Sequence, residues 1–124
     1  MENELLIQLC QTALKEARLP EEWEKLILVG KRGEGFASMS GYAFDRRGDS
    51  HATSPRGETI RAMKQLAQAM TDTSPTGKPW VSCLLRIGHD GQFGADFEYD
   101  DVGRWAIGPG NMEQRIAEFA SMPV

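Results

Sequence analysis

The sequence predicts an α+β domain: an antiparallel sheet of about four strands with helices packed on it, in the order α-β-β-α-β-β-α. Three observations carry this expectation. Several segments repeat apolar residues at three- and four-residue spacing, the mark of amphipathic helices. Shorter segments between them are rich in β-branched and aromatic residues. Those short segments come in pairs joined by glycine-bearing turns, with a helical segment between the pairs, so the strands are expected to form hairpins. No internal repeat or long linker divides the chain, and residues 1–124 are expected to form a single domain.

The first helix is expected over residues 3–18. Leu5, Leu6, Leu9, Cys10, Ala13, Leu14 and Ala17 form one apolar stripe, and Leu19-Pro20 closes it because a residue before proline is driven out of helical geometry. Trp23–Lys31 (WEKLILVGK) reads as a strand with an apolar centre. KRGEG is its turn, and Phe36–Phe44 (FASMSGYAF) the returning strand, where Gly41 marks a bulge or a close backbone approach. DRRGDSHATS reads as polar loop.

Ser54-Pro55 is expected to open the second helix, with Ser54 as cap and Pro55 at the first helical position. Ile60, Met63, Leu66, Ala67 and Met70 give it an apolar face, and TDTSPTGKP ends it. Trp80–Ile87 (WVSCLLRI) and Gln92–Tyr99 (QFGADFEY) are the next two strands, joined at Asp90-Gly91. Trp80 is assigned to the core. A last helix, with Asn111 as N-cap, turns Ile116, Phe119 and Ala120 inward.

Charge is distributed unevenly along this order. The formal net charge is −4; residues 1–89 carry 11 acids and 12 bases, whereas residues 90–124 carry seven acids and two bases. An acidic surface disfavours nucleic acid and anionic membrane and attracts basic partners, so neither nucleic acid nor membrane is expected as partner. No apolar run approaches the roughly 20 residues that span a bilayer. MENELLIQLC carries acids where an export signal carries Lys or Arg, so a cytoplasmic protein is expected.

The usual chemical constellations do not assemble from the sequence. His51 lies in a polar loop near Asp45 and Asp49, and His89 sits in a turn; a general base needs a fixed partner and a pocket that excludes water. A hydrolase using His51 with Asp45 or Asp49 is the weakest of the function classes weighed. Cys10 and Cys83 fall within apolar periodic segments and read as buried thiols. Asp45, Asp49 and His51, like Asp96, Glu98, Asp100 and Asp101, lack the loop spacing of a calcium site, and no zinc motif or phosphate-binding glycine loop is present. No catalytic residue, metal or cofactor is therefore expected.

FGADFEYDDVGRW, residues 93–105, carries the most information. In a strand, Phe93, Ala95, Phe97 and Tyr99 share one face, and Gln92, Gly94, Asp96, Glu98 and Asp100 the other. The aromatic side suits a core beneath helices. The acidic side faces either water or a partner rich in Lys and Arg, and both readings stay open on charge alone. Trp105, in the loop that follows, either anchors an interface or folds back onto the core.

The residues PEEWEKLILVG (20–30) and KPWVSCLLRIGHDGQFGADFEYDD (78–101) contain, in order, P-x-x-W-x-K, P-W-x-S, I-x-x-D-G-x-F and D-F-x-Y-D-D. This ordered set, spread over most of the chain, resembles the YezG-like immunity-protein family of bacterial polymorphic and contact-dependent toxin systems. The chain differs from that pattern in its glycine- and serine-rich segment FASMSGYAFDRRGDSHATS and in a clear helix after Trp105. The resemblance implies a non-enzymatic antitoxin that binds and neutralises the C-terminal domain of a cognate toxin, a basic nuclease, by occlusion. Asp96, Glu98, Asp100, Asp101 and Trp105 are the candidate toxin contacts, with Asp45 and Asp49 beside them. The alternative is a small-ligand-binding or regulatory domain with a pocket between sheet and helices.

Overall fold

The computed structural model describes residues 2–124. Helix α1 spans Glu2–Glu16 and buries Leu9, Cys10 and Ala13. It ends earlier than expected because the Arg18 N–H leaves the helical pattern and donates to Thr53 Oγ1 at 2.7 Å. Strands β1 (Trp23–Gly33) and β2 (Phe36–Asp45) form the first hairpin. Gly41 marks a close approach: a Cβ there would lie 1.9 Å from the Ile27 carbonyl oxygen. The register irregularity of this hairpin falls instead between Trp23 and Lys25.

A third strand, β3 (Ser50–Thr53), lies within the segment expected to be loop, so the sheet has five strands where about four were expected. Asp45 makes it possible. Its Oδ1 accepts the N–H groups of Arg47 and Asp49 at 2.9 and 3.0 Å, and Gly48, at φ +86°, turns the chain back along β2. The strand is short and polar because it forms an edge, so no apolar run announces it.

Helix α2 spans Glu58–Thr73 and starts three residues after Pro55. Ser54 does not cap it. The cap is the Glu16 carboxylate at the end of α1, which accepts the N–H of Glu58 at 3.1 Å and of Thr59 at 2.7 Å. Strands β4 (Ser82–Gly88) and β5 (Phe93–Glu98) form the second hairpin, and α3 spans Met112–Ala120. Asn111 precedes α3 without capping it; its side chain braces the incoming loop through Gly108 and Ala106.

All strand pairs are antiparallel, in the order β3-β2-β1-β4-β5. Central β1 buries Leu26–Gly30 on both faces. Leu26, Leu28, Cys83, Leu85 and Ile87 face α1 and α2, where Met63, Leu66 and Trp80 complete the main core. Ile27, Val29, Tyr42, Phe44 and Leu84 face the other way and are covered by Trp105, Phe119 and the half-buried Ile116. Ala120 is exposed rather than inward. The C-terminal segment thus forms a third layer. Among the described residues, no helix is long and apolar enough to cross a membrane.

Candidate functional site on the outer strand

The register of β4 with β5 sets Asp96 opposite Leu84 and Glu98 opposite Ser82, on the face that carries the C-terminal layer. The acidic residues do not project as one unpaired row. Asp96 is half exposed and lies 3.5 Å from an Arg86 guanidinium nitrogen. Asp100 pairs with Lys78. Asp101 Oδ1 accepts the Gly103 N–H at 2.9 Å.

Glu98 does structural work. Its carboxylate accepts the N–H groups of Asp100 at 3.0 Å and Asp101 at 3.1 Å and receives Arg104 at 3.0 Å. These backbone bonds first, then Arg104, hold the carboxyl below its ordinary range. Its side chain is only 17% exposed. The Arg104 guanidinium stacks 4.7 Å from the centre of the Trp105 ring. Trp105 itself is 5% exposed and packed in the second core cluster. As an exposed contact Trp105 is excluded: an apolar ring beside Ile27, Val29 and Leu84 is held inside by burial.

Asp45, the last residue of β2, and Asp49, in the turn before β3, lie toward the opposite edge of the sheet and are not brought together with the β5 acids. Asp45 is also corrected as a contact, being 8% exposed and committed to its own turn. Its second oxygen lies 2.9 Å from His51 Nε2. The His51 bond, followed by the turn N–H groups, lowers the Asp45 pKa. Asp49 is exposed and 3.9 Å from Arg47.

His89 is exposed and sits edge-on to Trp23, with ring centres 5.0 Å apart. Cys10 and Cys83 are buried free thiols, and burial pushes both up to about 12. Among the described residues, no group of three or more His, Cys, Asp or Glu side chains converges to hold a metal ion. The centre of the interface between sheet and helices, where a ligand pocket was the alternative expectation, is filled by Leu9, Met63, Leu66 and Leu85, and open space lies at its margins.

One cavity of about 390 Å³ lies between β2 and the start of α2, lined by Met39, Pro55 and Ile60 among others, and an open groove of about 320 Å³ lies where α1 crosses the β4–β5 hairpin, lined by Ile7, Leu14, Trp23, His89 and Phe93 among others. Ile7 and Phe93 are 41% and 44% exposed. Sequence reasoning put Phe93 with the core face and did not anticipate its exposure at the groove. It also missed the cations that pair with the acids. Arg86, a charged residue inside the apolar run WVSCLLRI, was the available signal.

No protein-family model matches the chain, and no curated protein matches it. The resemblance to YezG-like immunity proteins therefore stands on the quoted motifs alone.

Proposed function

We propose that this protein is a cytoplasmic, non-enzymatic immunity protein that binds a cognate bacterial toxin domain and blocks it by occlusion. The supporting observation is the exposed carboxylate set Asp96, Asp100 and Asp101 along the outer strand and its exit loop. Exposed ion pairs such as Lys78–Asp100 contribute only about 0–1 kcal/mol, so a partner can exchange them for its own cations at little cost. Residues 90–124 keep an excess of five acids over bases after every internal base is counted. A nuclease holds phosphates in a basic cleft, and carboxylates at this spacing suit such a cleft as phosphate substitutes. The docking set is narrower than the sequence implied, because Glu98, Trp105 and Asp45 are occupied in holding the fold.

Co-expression with the C-terminal domain encoded directly upstream tests the reading. The expected result is a co-purifying complex and protection of cells from that domain. A folded immunity protein that neither binds nor protects would overturn it.

A further inference from the structure

The outer edge of β5 lacks most of the devices that usually blunt a sheet edge. β3, at the other edge, is four residues long, and short edge strands pair poorly with other chains. β5 runs six residues, FGADFE, without proline, lysine or break in register. Its backbone polarity can be read from the ladder. The Gly88 N–H donates to the Gln92 carbonyl, and the Arg32 N–H donates to the Val81 carbonyl. Even-numbered β4 residues therefore bond to β5 and odd-numbered ones to β1. By the same alternation, Gln92, Gly94, Asp96 and Glu98 turn their backbone groups inward to β4. Phe93, Ala95 and Phe97 turn theirs outward.

The two sides of that edge differ chemically. On the α1 side, exposed Phe93 and Ile7 flank the apolar groove. On the other side stand Asp96, 52% exposed, and beyond it Asp100, 79% exposed. We infer that the β5 edge takes an extended segment of a partner protein as a sixth strand, one that alternates apolar with Lys or Arg side chains. Main-chain bonds to Phe93, Ala95 and Phe97 would supply affinity. Apolar side chains would enter the groove, and basic ones would meet Asp96 and Asp100. This rests on the binding function proposed above and names the chemistry of its partner.

Charge selects this occupant over a second copy of the chain. Antiparallel pairing of two β5 edges would set Asp96 and Glu98 of both copies on one face of a continuous sheet, and like charges on neighbouring strands oppose pairing. The same carboxylates attract a cationic strand.

The test uses a blocked nine-residue peptide alternating Val and Lys, and its Val/Glu counterpart, titrated into the isotopically labelled full chain. The Val/Lys peptide should shift the Phe93, Ala95 and Phe97 amides and slow their hydrogen exchange. The Val/Glu peptide should bind at least tenfold more weakly, and Asp96→Lys should weaken the Val/Lys peptide at least tenfold. Ala95→Pro, which removes an outward N–H, should abolish binding. Should that variant not fold, Asp96→Lys, at an exposed position, carries the test alone.

Absence of binding, equal affinity for both peptides, or shifts confined to other elements would overturn the inference. Concentration-dependent protection of the same amides without peptide would overturn it in favour of self-association. The peptide assay needs no toxin, so the two readings fail separately. Peptide binding without an upstream-domain complex leaves the edge and removes the immunity reading. A complex that leaves the β5 amides unprotected does the reverse.

Discussion

The ammonium nitrogen of Lys25 lies 2.9 Å from the carbonyl oxygen of Phe119, joining the central strand to the end of the last helix. It also donates to the carbonyls of Ala120 and Met122, each at 2.7 Å. Three donors on one cation meet carbonyls at a helix C-terminus, where the helix dipole favours positive charge. Burial lowers the Lys25 pKa, which reflects how far this charge is withdrawn from water.

Lys25→Met keeps the stem and removes the charge, so it tests the anchor directly. Hydrogen bonds to a charged group contribute about 1.5–3 kcal/mol in typical mutational series. The expected loss is about 2 kcal/mol, read as a lower urea midpoint. Slowed exchange in α3 should also be lost, with the β1–β4 amides still protected. An unchanged midpoint would show that Phe119 and Ile116 hold the third layer without help.

The acidic pH limit of the fold should follow three carboxyls. Glu16, Asp45 and Glu98 are each held below their ordinary values, Glu16 chiefly by Thr59, Asp45 by His51 and Glu98 by the Asp100 N–H. A carboxyl with a depressed folded pKa stabilises above its unfolded value. That contribution disappears as pH falls through the folded value. Stability should therefore be full above the ordinary glutamate value of 4.5 and decline as pH drops below it. Urea midpoints against pH would show this, and Glu16→Gln should flatten the acid limb while lowering the plateau.

These carboxyls also show where sequence reading succeeds and where it stops. The apolar centre of Trp23–Lys31, the alternation in Phe93–Tyr99 and the stripe in the first helix located most elements, because burial writes a local pattern into the chain. The acid of the α2 cap sits 42 residues upstream of the N–H it accepts, and Lys78 lies 22 residues before Asp100. No local window contains such pairs. β3 escaped for a related reason: an edge strand buried on one side needs little apolar sequence, and its turn depends on one aspartate. Trp105 had two open readings because loop sequence does not encode the direction of a ring; Phe119, ahead in the chain, completes the cluster that takes it in.

Gly41→Ala should be among the most damaging small substitutions. The added methyl would stand 1.9 Å from the Ile27 carbonyl oxygen, where β1 and β2 are tied on both sides and cannot part. Overpacking a core usually costs about 1–3 kcal/mol, and a collision with backbone belongs at the upper end or beyond. Circular dichroism melts should show a loss of about 3 kcal/mol or more. Gly35→Ala tests a different effect: no atom lies within 4 Å of its added methyl, so any loss there comes from its φ of +78°.

The acidic segment should separate into a folding half and a binding half. Trp105→Ala removes a buried ring that contacts the second cluster and should cost about 3–5 kcal/mol of stability. Glu98→Gln should shift the melt in the same direction, because it weakens acceptance of two backbone N–H groups and Arg104. Asp96→Asn and Asp100→Asn remove exposed charges in weak pairs, so stability should change by no more than about 0.5 kcal/mol. On the proposed function, that second pair should lower affinity for the toxin domain at least tenfold together and reduce its salt dependence. Melts and binding isotherms on all four variants would decide the matter. If affinity follows stability across the series, the carboxylates act through the fold; if Asp96→Asn and Asp100→Asn lose binding at constant stability, the outer strand is the contact surface.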